Sequence, residues 1–232
     1  MELEAPAMII ELLRERYGSI DYSSFIATRV KGKSLFEFLV GVLLSQNTSD
    51  RNAVKAYEKL REMLGGAITP ERVLKAGFAK LVKAIRSAGM YKQRSKKIMM
   101  LAKIFASRDY VDKLIRTIKN APLQKARETL LKLPGVGLKT ADVVLLMYFG
   151  KYTFPVDTHI MRITKRLRCT EKTDYEAIRD FWMKSLNPRN YLEAHLLLIT
   201  HGREVCRARR PLCHSCVIRK YCNTYLRRCT ES

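Results

Sequence analysis

Hydrophobic side chains return every three or four residues in segments 8–13, 35–44, 54–63, 78–85, 98–105 and 111–118. The pattern resumes after Pro122, with helices over 123–133 and 140–149, and continues through 191–200. A period near 3.6 puts these residues on one face of a helix, so the chain reads as a succession of helices. Turn residues fall between them: Gly65-Gly66, Thr69-Pro70, Ala88-Gly89, Asn120-Ala121-Pro122, Pro134-Gly135 and Asn187-Pro188. Strand-like alternation is confined to one short candidate, 152–156. No repeat of 20 to 50 residues stands out, which argues against a solenoid, and no low-complexity linker divides the chain.

Composition adds a partner to this helical pattern. A chain of 232 residues with 47% hydrophobic and 28% charged side chains suits one large domain or two small ones, and excludes disorder. The 44 Lys and Arg against 22 Asp and Glu leave a net charge of +22. Self-repulsion on that scale is tolerated when the partner is a polyanion, with nucleic acid the first expectation and an anionic membrane surface the second. A span would need about 20 consecutive apolar residues. The most apolar stretches, 36–44 and 141–149, are too short and carry Glu37 and Asp142. Glu2, Glu4, Glu11 and Glu15 near the start do not make a signal peptide. The expected location is intracellular, where cysteines stay reduced.

Four of those cysteines carry the most specific chemistry. Cys206, Cys213, Cys216 and Cys222 are separated by six, two and five residues. Four soft thiolates from one short segment select zinc or an iron–sulfur cluster. Structural zinc more often uses two close pairs across a longer spacer, so the spacing favours the larger cube of a 4Fe-4S centre. Cys169 and Cys229 fall outside it and read as a packing residue or a free thiol. Around the array, Arg203, Arg207, Arg209, Arg210, Arg219, Lys220, Arg227 and Arg228 face only Glu204 and Glu231.

A second signal is Leu133-Pro134-Gly135-Val136-Gly137-Leu138-Lys139-Thr140 between two predicted helices. Backbone without side chains can approach a phosphate, and outward amides of Val136, Gly137 and the next turn would favour an anion at a helix start. An ordinary helix-to-helix turn is the plainer alternative. Lys139 follows in the first turn, where the helix dipole and burial would lower its pKa and favour the neutral amine that attacks carbon. Val156-Asp157-Thr158-His159 opens a later helix containing Ile160, Ile163 and Leu167. Taken singly, Asp157 reads as a helix cap and Lys139 as a phosphate-neutralising surface lysine.

Together, the hairpin of 133–140, the Asp157 segment and the C-x6-C-x2-C-x5-C array resemble endonuclease III of the helix-hairpin-helix DNA glycosylase superfamily, over about 34–222. The resemblance implies an all-α fold of two domains: a six-helix barrel over 27–151, and a helical iron–sulfur domain made of 1–26 and 152–232. Lys139 and Asp157 would face each other across the cleft between them. Lys139 would displace the damaged base from C1′ and form an imine, from which β-elimination cuts the strand; Asp157 would stabilise positive charge developing on the sugar. The substrate would be duplex DNA with damaged bases or abasic sites, the cofactor a structural 4Fe-4S cluster, and the simplest assembly a monomer.

A base must leave the stack for this chemistry, and the hole must be filled. In the loop Ser45-Gln46-Asn47-Thr48, either amide matches the family's inserting position, with Asn47 in register with the glutamine of bacterial relatives. Met90 matches an apolar wedge and equally suits helix packing. The run Lys92, Gln93, Arg94, Lys96 and Lys97 reads as backbone contacts or as a solvated face. Gly135, Val136, Gly137, Arg207, Arg209 and Arg210 complete the expected DNA contacts. Leu131 stands where bacterial relatives often carry an acid near the base pocket, and Tyr152 would line that pocket or simply pack. Oxidised pyrimidine is the expected lesion, with thymine or uracil opposite guanine the alternative. A catalytically inactive lesion binder and a zinc-ribbon nucleic-acid-binding protein are the non-enzymatic readings.

Overall fold

The structure is a computed structural model that describes residues 5–18, 23 and 25–230, the side chains of 228–230 excepted. Expectations placed on Glu2, Glu4, Cys229, Glu231 and the Arg228 side chain lie outside the described residues. The fold is all-α, with no strand among the described residues. Residues 152–156, the one strand candidate, are extended but belong to no sheet. Their apolar groups are buried by helices instead: Phe154 stacks on Trp182 at 5.8 Å, and the Pro155 carbonyl lies 2.9 Å from Nδ1 of buried His195.

The chain divides into two compact units, Asp21–Lys151 and Met1–Ile20 with Tyr152–Ser232. The short helix Ile26–Arg29 packs against helices of the first of these units.

The first unit is built on a buried helix. Its helices are α2 (Ile26–Arg29), α3 (Leu35–Ser45), α4 (Asp50–Met63), α5 (Pro70–Ala84), α6 (Tyr91–Phe105), α7 (Arg108–Asn120), α8 (Leu123–Leu131) and α9 (Leu138–Met147). Every residue of 35–44 is buried, so α3 is apolar on all sides and forms the axis against which α2, α4, α6 and α9 pack. Ser34 caps it by accepting from the Glu37 amide, the first half of a capping box. Ser49, Thr69 and Ser107 cap α4, α5 and α7 in the same way. Segment 78–85 was only part of its helix: α5 starts at Pro70 but is interrupted at Gly77, whose φ of 76° breaks the period upstream of Phe78.

The second unit comprises α1 (Ala5–Tyr17), α10 (Thr158–Leu167), α11 (Tyr175–Ser185), α12 (Tyr191–Glu204) and α13 (Asn223–Thr230), with short 3-10 turns in the cysteine region. The Arg14 guanidinium joins α1 to α12 by two parallel bonds of 2.8 Å to the Glu193 carboxylate. Trp182 is fully buried, and its indole N–H donates to Thr164 Oγ1 at 2.9 Å, tying α11 to α10.

One buried ion pair holds the arms of the helical hairpin. Arg127 of α8 and Asp142 of α9 approach to 3.1 Å, with side chains 4% and 0% exposed. Removing one partner strands a charge in the core, whereas apolar replacement of both need not. Asp142→Ala is therefore expected to lose about 3–5 kcal/mol in urea unfolding, and the double change Arg127→Met, Asp142→Leu to recover most of it. Equal losses in both proteins would show that the pair does not act as a staple.

Candidate functional site

The hairpin between α8 and α9 treats its two glycines differently. Gly135 has φ of 83°, and a Cβ there would lie 2.9 Å from both Leu43 Cδ2 and Lys97 Cδ. It faces inward, where only glycine lets the turn press on α3 and α6. Gly137 is extended and caps α9 with backbone alone, and a Cβ on it would meet nothing within 4 Å. The bare surface is therefore at 137. The Val136 amide does not point outward as expected: it donates to the Leu133 carbonyl at 3.1 Å, and the Val136 side chain is buried. Closing that turn ends α8 at Leu131 and lets α9 begin at Leu138, two residues before the expected Thr140. The first-turn amides of α9, with no side chain capping them, form the anion-facing edge. Lys139 stands half-buried on that turn.

Two further turns of the same unit carry the expected inserting residues. Gln46 Nε2 donates to the Gly135 carbonyl at 3.0 Å and to Thr140 Oγ1 at 3.1 Å, so its amide is committed to the hairpin. Asn47 is exposed in the left-handed region, with φ of 49°. Met90 is also left-handed, φ 45°, and 52% exposed, which is not the packing role open to it in the sequence. Arg94, read from sequence as part of a basic run making backbone contacts or forming a solvated face, is 4% exposed. It donates from Nε to the Gly89 carbonyl at 2.8 Å, from the terminal nitrogens to the Ala88 carbonyl at 3.3 Å, and to the carbonyls of Leu43 and Gln46. Burial lowers its pKa from the ordinary arginine value. A signal for this existed: Arg94 lies on the same helical face as buried Ile98, Leu101 and Phe105.

In the second unit, Asp157 caps α10. Its Oδ1 accepts from the amides of His159 at 2.9 Å and Ile160 at 2.8 Å, which fixes the carboxylate at a helix start. Tyr152 is 54% exposed, with its ring edge-on to Tyr191.

All four cysteines of the array line one cavity, together with Arg166, Val205, Pro211 and Thr224 among others. They are free thiols, half-buried. Sequence reasoning missed the groups that frame them. Arg166 donates to Cys206 Sγ at 3.2 Å and to the carbonyls of Arg207 and Ala208 at 2.8 and 3.2 Å. Arg162 donates to the carbonyls of Cys206 and Gly202. Buried His201 lies between Tyr17 Oη at 3.0 Å and Cys216 Sγ at 3.5 Å, and burial pushes its imidazole down to about 4. Burial likewise pushes the Cys216 thiol up to about 11 and raises that of Cys222, with neighbouring cysteines adding to both. Holding these sulfurs as thiolates would take positive charge in the cavity. Among the described residues, no group of three or more His, Cys, Asp and Glu could hold a single metal ion. Cys169 is a separate, half-buried thiol pushed by burial up to about 12. Arg207, Arg209 and Arg210 are exposed on the loop between the first two cysteines.

A helical hairpin with an uncapped, side-chain-free helix start on so basic a chain defines a protein built to hold a nucleic-acid backbone. The profile of the HhH-GPD superfamily base excision DNA repair proteins matches residues 40–188, and the chain belongs to that superfamily. Its curated relatives include endonuclease III of Sulfolobus acidocaldarius, 37% identical over 217 residues that cover 92% of this chain and 93% of the relative. Endonuclease III of Escherichia coli K12 is 33% identical over 195 residues, 84% of this chain and 86% of the relative. A trapped endonuclease III–DNA covalent intermediate superposes with a TM-score of 0.80 at 26% identity, covering 99% of each chain. A thermostable thymine-DNA glycosylase shares the fold at 20% identity, with a TM-score of 0.75 and coverage of 97% of this chain and 98% of the other.

The committed amide of Gln46 yields a direct expectation. Gln46→Leu removes two hydrogen bonds that tether the hairpin and should lower stability by about 1–2 kcal/mol in urea unfolding. Asn47→Ala loses no such bonds and should cost less, about 0.5–1 kcal/mol, because alanine tolerates the left-handed backbone less well than asparagine. The reverse order would contradict the tether.

Proposed function

We propose that this chain is a DNA glycosylase with AP lyase activity in base excision repair, and that Lys139 and Asp157 carry the reaction on a nucleotide extruded from duplex DNA. The observation that carries the reading is the position of Lys139. It is the one amine on the turn that follows the bare backbone of Gly137, in a chain 37% identical to an endonuclease III.

The chemistry follows from the groups. With a phosphate on the first-turn amides of α9, the Lys139 amine is brought to the sugar of a flipped nucleotide. Its lone pair attacks C1′, the N-glycosyl bond breaks, and the base leaves with the bonding electrons and takes up a proton. Opening of the sugar ring then gives an imine between Nζ and C1′. Loss of a proton from C2′ expels the 3′ phosphate and cuts the strand. Asp157, with one carboxylate oxygen fixed by the His159 and Ile160 amides, keeps the other for positive charge developing on the sugar and for proton transfer. Asn47 is the better placed amide for filling the vacated stack, because that of Gln46 is spent on the hairpin; Met90 supplies the apolar wedge.

We assign Cys206, Cys213, Cys216 and Cys222 to a 4Fe-4S cluster. One cavity lined by all four thiols supports the assignment. When bound, the cluster supplies structural order. The residues of this chain do the rest: Arg166 and Arg162 fasten the loop, and Arg207, Arg209 and Arg210 present charge to phosphates outside it. The substrate we propose is an oxidised pyrimidine such as thymine glycol in intracellular duplex DNA, with the protein acting as a monomer. Among the described residues, no helix is long and apolar enough to cross a membrane.

With a thymine glycol duplex, borohydride should trap a covalent adduct with the wild-type protein and none with Lys139→Gln, which still binds DNA. An undiminished adduct in the variant would move the nucleophile elsewhere. Parallel duplexes carrying uracil or thymine opposite guanine report the pocket, and cleavage without alkali reports the lyase step. Cys213→Ser should lose the brown visible absorbance and bind DNA more weakly. Retention of both would overturn the ligand assignment.

A further inference from the structure

Two non-glycine residues of the first unit, Asn47 and Met90, adopt the left-handed conformation on separate turns, and one side chain reaches both turns. Arg94 binds the Gln46 carbonyl, immediately before Asn47, and the Gly89 carbonyl, immediately before Met90, and adds those of Leu43 and Ala88. The Gln46 and Gly89 carbonyls belong to the peptide planes on which the φ of Asn47 and Met90 is measured, so holding them holds an otherwise costly backbone geometry. The Leu43 carbonyl, at the end of α3, accepts otherwise from the Gln46 amide, at a long 3.4 Å. A planar fork with five donors can bridge four acceptors on two turns; a lysine ammonium, a point charge with three, cannot hold them in one plane. Burying a guanidinium among neutral carbonyls is an expensive way to fill a core, because an apolar side chain would fill the same space without desolvating a charge. The expense is understandable if the two turns must keep a fixed spacing.

We propose that Arg94 is a positioning residue that locks the Asn47 and Met90 turns into a single preformed wedge, which fills the stack as the damaged nucleotide leaves it. The proposal rests on the excision activity assigned above and deepens it. Arg94 touches no reacting atom; it acts by removing the need to order two turns at the moment of extrusion. The wedge is needed only where bases are stacked. A lesion already unpaired therefore escapes the dependence.

The test is single-turnover excision of thymine glycol by wild type, Arg94→Met and Arg94→Lys, each on a fully paired duplex and on the same strand with the lesion in an unpaired bubble. Misplacement of positioning groups by about an ångström costs up to 100-fold, so Arg94→Met should lose roughly 10- to 100-fold on the duplex. It should stay within about threefold of wild type on the bubble, where the unstacking cost is already met. Arg94→Lys should fall between the two on the duplex, and it carries the test if circular dichroism shows that Arg94→Met does not fold. Equal losses on both substrates would reduce Arg94 to a structural residue and overturn the proposal, as would no loss on the duplex. Wild-type protein inactive on both substrates would instead refute the excision reading, and this proposal with it.

Discussion

The contact on which the rest of the first unit depends is the press of the Gly135 turn against α3 and α6. Leu43 and Lys97 leave no room for a side chain there. Because α3 is buried along its length, it cannot yield to make room, and the hairpin takes its position from the core. Gln46 then ties the same turn from the end of α3, and the Arg127–Asp142 pair ties the two helices behind it. A site that must meet a flexible polyanion is thus carried on its least deformable element. On the proposed mechanism this matters because an amine held on a loose turn would spend part of each encounter out of reach of C1′.

The second unit solves a similar problem with a different material. Helix α10 has Asp157 at its first turn and Arg162 and Arg166 along its length toward the other end, where they hold the main chain of the cysteine loop. The Arg166 carbonyl also accepts from Thr224 Oγ1 at 2.9 Å, so the same residue holds the loop on both sides of the cavity. A segment with few apolar side chains is thereby ordered by guanidinium bonds where a hydrophobic core is not available.

Much of this was legible from the order of residues. The helical period located the main helices because burial on one face leaves its mark in sequence, and the hairpin, Lys139, Asp157 and the four cysteines stood out by spacing. What escaped detection depended on contacts between distant segments. The Val136 amide looks available until Leu133 is seen to close the turn on it. Gln46 and Asn47 are neighbours of the same chemistry, and only the location of Gly135 and Thr140 separates them. Arg94 was hidden by its company, since six polar residues in a row, 92–97, suggest a wet surface even when two of them, Arg94 and Ser95, are buried. The helical pattern after Pro122 ran through α11 without marking its ends, because its burial falls on a few residues, Ile178, Arg179 and Trp182, one of them charged.

The unlike surroundings of Gly135 and Gly137 separate two kinds of inherited damage. Residue 135 is constrained by the protein itself, so a variant there would be cleared as misfolded chain and show as low abundance. Residue 137 faces open space, and its backbone angles suit any amino acid. A side chain there would be accepted by the fold and, if the α9 amides hold a phosphate as proposed, refused only by DNA. On that reading such a variant would accumulate to normal levels, pass every test of folding, and fail solely where it meets its substrate.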